Sequence, residues 1–242
     1  MTPETTPAGS ANTPGSAGVP PVPGRSEADK ARYRAGDTEC TGDGRDARAP
    51  SGELSDRGWH SRYYLPHLDT AGIVQAITFR LADALPAETV AALKMQAESP
   101  RKRRQMEALL DAGLGACWLR VPQIADLMEQ ALLNFDGQRY RMLAWCVMPN
   151  HVHVLVKTFP EYPISRVVHT WKSFTAKRIN AHLERTGTIW QADYHDRFMR
   201  TDEHLAATRE YIEMNPVKAG LVATPVAWRW SSAGAPPGRS AG

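Results

Sequence analysis

The order of elements along the 242-residue sequence predicts an α+β fold, in which a small antiparallel sheet carries its helices on one face. A β-branched and aromatic run at 73–81 predicts the first strand. Strand patterns at 140–148 and 151–158 flank the turn Pro149-Asn150, as in an antiparallel hairpin. Apolar residues at helical spacing occupy the interval before this hairpin and the segment after it. The alternation of strand and helix patterns therefore favours a single layered domain.

Prolines mark the starts of most of the predicted helices. We expect helices that begin at Pro86, near Arg103, at Pro122 and at Pro163. The last helix is expected to begin after Thr201, as its N-cap, and to end at Asn215-Pro216. The inner stripe of the helix after Pro163 is predicted to contain Ile164, Val167, Val168, Trp171, Phe174 and Ile179.

The two ends of the chain differ in composition from its middle. Residues 1–56 are rich in Pro, Gly and Ala, and the first 50 contain no Leu, Ile, Phe or Trp. Such a segment cannot bury enough apolar surface to offset the entropy of ordering it. The sequence therefore predicts a disordered tail at 1–56, one folded domain at 57–233 and a flexible tail at 234–242.

Composition excludes several classes of protein. Three cysteines without metal-type spacing argue against a disulfide scaffold or a cysteine zinc site. There is no apolar run of 18 residues and no signal-like N-terminus, so we expect a cytoplasmic protein without a membrane partner. The formal net charge is only +3. The section 139–230 is more basic, which suits a nucleic acid but also an ordinary solvated face, and the basic run at 101–104 is interpreted as surface.

His151 and His153 are two apart in a predicted strand, so both imidazoles point to one face. Two such nitrogens can hold one divalent cation. Solvated polar residues on a sheet face would give the same short pattern.

Tyr211 and Asn215 are four apart in the last predicted helix and share a face with His204 and Thr208. A tyrosine can attack a phosphodiester and leave again, because its phenolate is a competent leaving group. The alternatives are a half-buried tyrosine that anchors the helix and an asparagine that ends it before Pro216.

Basic and aromatic residues could follow a single strand of DNA. Basic side chains track phosphates, and an exposed Trp190 could stack on a base, although a core tryptophan would fit the pattern equally well. Tyr194 is the second candidate for the nucleophile. The expected DNA-binding residues are Lys172, Lys177, Arg178, Trp190, Arg197 and Arg200.

Several blocks together resemble one family. They lie, in one order, at 145–156 (around the histidines), 172–176, 190–191, 194–197 with Arg200, and 211–222. The blocks are similar to those of the single-tyrosine transposases of the insertion-sequence-200 type, within the HUH endonuclease superfamily, and most of all to their REP-associated branch. The resemblance covers residues 57–233.

The resemblance implies a ferredoxin-like (RRM-like) HUH nuclease fold and a metal-dependent single-stranded DNA endonuclease and strand transferase. Tyr211 would form a 5′-phosphotyrosine, and His151, His153 and Asn215 would hold Mg²⁺ or Mn²⁺. The implied substrate is hairpin DNA of repetitive extragenic palindromes, so we expect a protein associated with the nucleoid. Resemblance to the REP-associated branch favours a monomer over a homodimer. Two alternatives stay open. One is a catalytically silent nucleic-acid-binding regulator, and the other is a metal hydrolase that uses water, for which no Asp or Glu adjoins the histidines in sequence.

Overall fold

The computed structural model describes residues 58–61, 66–70, 72–97 and 99–234. The predicted tail at 1–56 lies outside the described residues, as does all of the predicted C-terminal tail except Gly234. Within the described ranges no helix has the length and apolarity that a membrane span requires. The described elements are β1 (Gly58–Ser61), β2 (Pro66–Asp69), β3 (Val74–Arg80), α1 (Ala87–Lys94), α2 (Pro100–Asp111), α3 (Pro122–Leu133), β4 (Tyr140–Val147), β5 (His151–Thr158), α4 (Ile164–His182), β6 (His195–Phe198) and α5 (Asp202–Lys218).

Strands β3 to β6 form one antiparallel sheet in the order β4-β5-β3-β6. The predicted hairpin is present between β4 and β5, and the Met148 amide donates to the His151 carbonyl over 2.9 Å at its turn. Because successive strand residues point to opposite faces, β5 directs its valines at 152, 154 and 156 to one face and its histidines to the other. The α+β class with an antiparallel sheet is confirmed.

The valine face of the sheet packs against α3 and α4. The Trp171 indole of α4 donates to the Tyr140 hydroxyl over 3.0 Å, and that hydroxyl donates to the Leu132 carbonyl over 2.8 Å. The prediction that Phe174 belongs to the inner stripe is wrong. The buried row of α4 continues from Trp171 to Thr175 and leaves Phe174 45% exposed.

The histidine face of the sheet is covered by α5. Ile212 packs there on Ala144, Cys146 and Leu155, and the two small residues of β4 let the helix approach closely. The expectation that all helices lie on one face is therefore wrong. Residues 151–156 of β5 are buried on both faces, so the strand lacks the apolar–polar alternation of a one-sided sheet.

The prediction that the last helix ends at Asn215-Pro216 is wrong, because α5 continues to Lys218. A proline in a helix removes one backbone donor, yet the following turn closes normally, with the Ala219 amide donating to the Asn215 carbonyl over 3.0 Å. Asn215 consequently lies inside the last turn and is fully buried.

Some β structure was not predicted. Strand β6 pairs with β3 and places Arg197 opposite Ala76, while β1 and β2 form a separate antiparallel pair. Beyond α5, Ser231 bridges to Cys146 and adds backbone contacts to the edge of β4. These segments are short or charged and carry no β-branched run, so periodicity gives no signal for them.

Candidate active site

The site is built around the two histidines at the start of β5. Register pairs His151 with Arg80 and His153 with Thr78 of the neighbouring β3, so both rings lie on the α5 side of the sheet. Their Nε2 atoms are 2.9 Å apart and the ring planes are nearly perpendicular, at 89°. Both side chains are buried, which rules out the solvated sheet face considered above.

The other nitrogen of each ring has a fixed partner. His151 Nδ1 donates to the Asn150 side-chain oxygen over 2.8 Å, because an amide oxygen can only accept. That bond leaves the His151 Nε2 lone pair free to bind. His153 Nδ1 lies 2.8 Å from the Thr78 hydroxyl, which can act in either direction. Outer partners of this kind orient metal-binding histidines.

Both imidazoles are neutral. Burial lowers the pKa of His151 well below its usual value, and the neighbouring His153 adds to the effect. Burial also lowers the pKa of His153 to about 3, with further contributions from the positive charges of His195 and Lys218. Neutral imidazole is the form that binds a cation.

Two buried oxygens near this pair have no hydrogen-bond partner among the described residues. One is Asn215 Oδ1. The nitrogen of the same side-chain amide lies 3.2 Å from His153 Nε2. The other is Asp111 Oδ1, which lies 4.0 Å from His151 Nε2. Two facing nitrogens and unpartnered oxygens form a donor set that fits a divalent cation. In the described ranges no group of three or more His, Cys, Asp or Glu forms a metal cluster, so this fit depends on the Asn215 amide.

Tyr211 of α5 stands next to the histidines. Its ring centroid is 5.9 Å from that of His153, and the Lys218 ammonium lies 4.2 Å from the tyrosine ring centroid. The Glu107 carboxyl and the Asn215 amide both lie close enough to the hydroxyl to influence its pKa. Burial raises the pKa of Tyr211 well above its usual value, and the charges of Glu107 and Asp111 raise it further. The tyrosine therefore stays a phenol unless a neighbour accepts its proton.

Glu107 and Asp111 are site residues that the sequence did not reveal. Both come from α2, one helical turn apart, and α2 lies over the histidine face of the sheet. Burial raises the pKa of Asp111 to about 6, helped by the negative charge of Glu107. No Asp or Glu adjoins the histidines in sequence, as stated above. In the folded chain, however, α2 brings the Asp111 carboxylate to within 4.0 Å of His151. The i, i+4 spacing of Glu107 and Asp111 on a predicted helix is the feature of the sequence that could have placed the two acids on one face.

A cavity of about 560 Å³ opens beside Tyr211. Arg103 and Arg104 line it, so the basic run at 101–104 is not simply a surface feature. His204 and Thr208 continue the Tyr211 face into the same cavity, as their spacing predicted. The remaining polar lining is Thr78, Glu107, His153, His195 and Arg197.

The expected DNA-binding residues do not form one surface. Arg197 lines the cavity. Burial lowers the pKa of Arg197, and the positive charges of Arg103 and Arg200 lower it further, so Arg200 lies near this cavity too. Lys177 and Arg178 are exposed on α4, which packs on the opposite face of the sheet. Lys172 donates to the carbonyls of Gln191 and Ala192, over 2.6 and 2.7 Å, and so tethers that segment.

Trp190 does not offer a stacking surface. It is 5% exposed, its indole donates to the Thr175 hydroxyl over 2.9 Å, and its ring packs edge-on against Phe79. The expectation of base stacking is corrected here in favour of a core tryptophan. Tyr194 lines a neighbouring cavity with Arg80 and Gln191 and is absent from the lining of the Tyr211 cavity.

Comparison with known proteins adds to this geometry. Residues 123–215 match the family described as transposase, IS200 like. A Haemophilus influenzae protein, described as a REP-associated tyrosine transposase, is 31% identical over a 105-residue alignment that covers 38% of this chain and 58% of the relative. The chain thus spans little more than half the length of that relative.

Two solved structures are also similar. One is a REP-associated tyrosine transposase bound to a REP hairpin, with 20% identity, coverage of 72% of this chain and 81% of that chain, and a TM-score of 0.42. The other is a transposase from Deinococcus radiodurans, with 18% identity, coverage of 64% and 96%, and a TM-score of 0.31. Since both scores are below 0.5, the fold assignment rests on the sheet and helices described above.

The matched family segment, 123–215, contains both histidines, Tyr211 and Asn215. The resemblance drawn from the sequence blocks is thereby confirmed: residues 123–215 match the IS200-like transposase family, and the chain is similar to a REP-associated tyrosine transposase.

Proposed function

We propose that this chain is a metal-dependent single-stranded DNA endonuclease and strand transferase that uses Tyr211 as its nucleophile. The observation that carries the proposal is the convergence of the Tyr211 hydroxyl, the two neutral histidines and the Asn215 amide beside a basic cavity. A tyrosine that only anchored α5 would need neither the orphaned amide oxygen nor the facing imidazole nitrogens.

In the proposed reaction the Tyr211 oxygen attacks the scissile phosphorus, and the bond from phosphorus to the 3′-oxygen breaks. The products are a 5′-phosphotyrosine and a 3′-hydroxyl, which can later attack the same phosphorus and release Tyr211. The phenol suits both directions because it is a nucleophile of moderate strength and a competent leaving group. Its position on α5, which packs over the sheet, holds the attacking atom in place.

His151, His153 and Asn215 would hold the cation, Mg²⁺ or Mn²⁺ in the proposal. When bound, such a cation supplies charge neutralisation at a non-bridging phosphate oxygen. The protein contributes the orientation of the ligands, since Asn150 and Thr78 fix the two rings from behind.

The substrate we propose is single-stranded DNA next to a hairpin, of the kind named for the REP-associated relatives. Arg103, Arg104 and Arg197 line the cavity at Tyr211, where they would position the scissile phosphate. Lys177 and Arg178 on α4 lie on the other side of the sheet and would contact a more distant part of the DNA.

A second candidate function is favoured by one observation. Asp111 lies 4.0 Å from His151 and has a pKa raised to about 6, so the site contains a carboxylate that could activate water, as a metal hydrolase requires. A hydrolase would cleave DNA without becoming attached to it.

Covalent trapping separates the two functions. Wild-type protein is incubated with end-labelled hairpin oligonucleotides and Mn²⁺, and the products are run on a denaturing gel. We expect a labelled protein–DNA band that is lost in Tyr211→Phe and kept in Tyr194→Phe. Cleavage by Tyr211→Phe without any attached product would support the hydrolase and refute the tyrosine mechanism.

A further inference from the structure

Helix α2 contributes a carboxylate directly to the proposed nucleophile. Glu107 lines the same cavity as Tyr211 and His153, and its carboxyl lies close enough to the Tyr211 hydroxyl for each group to shift the pKa of the other. The family match begins at residue 123, so α2 lies outside it. The contact is thus a feature of this chain that the motif blocks do not contain.

We propose that Glu107 is the proton acceptor for the Tyr211 hydroxyl during strand cleavage and returns that proton when the strand is rejoined; this rests on the proposed function of Tyr211. In cleavage the phenol O–H bond breaks, the proton passes to the Glu107 carboxylate, and the Tyr211 oxygen bonds to phosphorus. The bond to the 3′-oxygen breaks, and the departing 3′-oxygen takes a proton from water in the open cavity. In rejoining, the 3′-hydroxyl gives up its proton to water, and the leaving Tyr211 oxygen recovers the proton from Glu107.

The surroundings of the hydroxyl single out Glu107 for this role. The side chains that act on the Tyr211 hydroxyl at close range are those of Glu107 and Asn215, and an amide is too weak a base to take the proton. His153 faces the ring of Tyr211, but its Nε2 points at His151 and Asn215, where the cation is proposed to bind. Of these neighbours, Glu107 is the carboxylate base that lies beside the oxygen that reacts.

The charges around Glu107 suit a base that works in both directions. Burial raises its pKa, which makes it a stronger base than an exposed glutamate, while Tyr211, Lys218, Arg103 and Arg197 act in the opposite sense. Asp111 lies one turn away on α2, and the negative charge of Glu107 contributes to the raised pKa of Asp111. A carboxyl in this setting can accept a proton and hold it until the reverse step.

The structural alternative is that Glu107 only fastens α2 to α5. A glutamine has nearly the same size and can still hydrogen-bond with the phenol, but it cannot take a proton. Glu107→Gln therefore separates the two roles. Glu210→Gln is the matched control, because Glu210 is exposed on α5 next to Tyr211 in sequence and does not line the cavity.

The experiment measures single-turnover cleavage of a labelled hairpin oligonucleotide with Mn²⁺, together with DNA affinity by fluorescence anisotropy and thermal stability. Loss of a general base typically lowers the rate by about 10²- to 10⁴-fold. We expect this loss for Glu107→Gln with affinity unchanged within about twofold, a partial recovery in Glu107→Asp, and no change in Glu210→Gln. Added acetate or formate should raise the rate of Glu107→Ala in proportion to its concentration.

A wild-type rate in Glu107→Gln overturns the proposal and leaves the function of Tyr211 standing, provided that Tyr211→Phe is inactive. A fully active Tyr211→Phe removes both. A Glu107→Gln variant that loses Mn²⁺ affinity, measured by titration of the metal alone, would make Glu107 a ligand and also overturn the proposal. If Glu107→Gln does not fold, Glu107→Asp decides, because a base displaced by one methylene must slow cleavage and a mere anchor need not.

Discussion

The buried histidine pair makes the stability of the metal-free protein depend on pH. In the folded state the pKa of His153 is about 3, and that of His151 is shifted in the same direction. In the unfolded chain both are near 6.5. Between these values the unfolded state binds more protons, so folding stability falls as the pH is lowered from about 6.5. The loss continues until the pH approaches the folded pKa values.

The size of the effect follows from the shift. Each pH unit below 6.5 costs about 1.4 kcal/mol per histidine, so His153 alone costs about 2 kcal/mol at pH 5, and the pair up to about twice that. Asp111 acts in the opposite direction, because its pKa of about 6 lets the folded protein gain stability as the pH falls. That group is only half buried, so solvent screening reduces its share.

The assay is urea unfolding at pH 7 and at pH 5 in the presence of a chelator, compared with the double variant His151→Gln with His153→Gln. Because the variant keeps Asp111, the difference between the two proteins isolates the histidines. We expect wild type to lose about 2–4 kcal/mol more than the variant between the two pH values. Parallel losses in the two proteins would show that the histidines are not held neutral by burial, and the description of the cation site would fail.

Three further predictions concern the cation, the core and the DNA surface. Adding Mn²⁺ should raise the melting temperature of wild type but not of His151→Ala with His153→Ala, which should bind hairpin DNA and fail to cleave it; an equal shift in both proteins would refute the ligand assignment. Trp190→Ala should lower stability by about 3–5 kcal/mol, measured by urea unfolding, because the side chain fills the core next to Phe79; a loss of DNA affinity at unchanged stability would restore the stacking role. Arg197→Ala should weaken hairpin binding and reduce the slope of log affinity against log salt by about one, in anisotropy titrations over a salt series; an unchanged slope would show that Arg197 does not contact a phosphate.

The parts of the site that share one element could be predicted from sequence. His151 with His153 and Tyr211 with Asn215 are pairs at the period of a strand and of a helix, and the periods alone place each pair on one face. That the two pairs meet depends on which face of the sheet α5 covers. The sequence favoured helices on one face, and only the packing of Ile212 on small residues of β4 shows where α5 lies.

The carboxylates and the basic cavity wall could not be predicted in the same way. Glu107 and Arg103 belong to a charged helix whose sequence reads as solvated surface, and they become site residues only because α2 lies over the sheet. Trp190 shows the converse case. It lies between the helix and strand patterns in sequence, and the bond from its indole to Thr175 places it in the core. Tertiary position decides the role of such residues, and no local period reports it.

The arrangement also explains why a cation and a carboxylate can share one small site. Glu107 and Asp111 place two negative charges beside the position that an anionic phosphate must reach, and like charges there oppose binding of the substrate. Arg103 and Arg197 offset this repulsion on the cavity side. A divalent cation at His151 and His153 would offset it on the sheet side, next to Asp111. On the proposed function, the acidic residues would serve proton transfer without expelling the phosphate, and a bound cation would help to place the scissile group as well as to neutralise its charge.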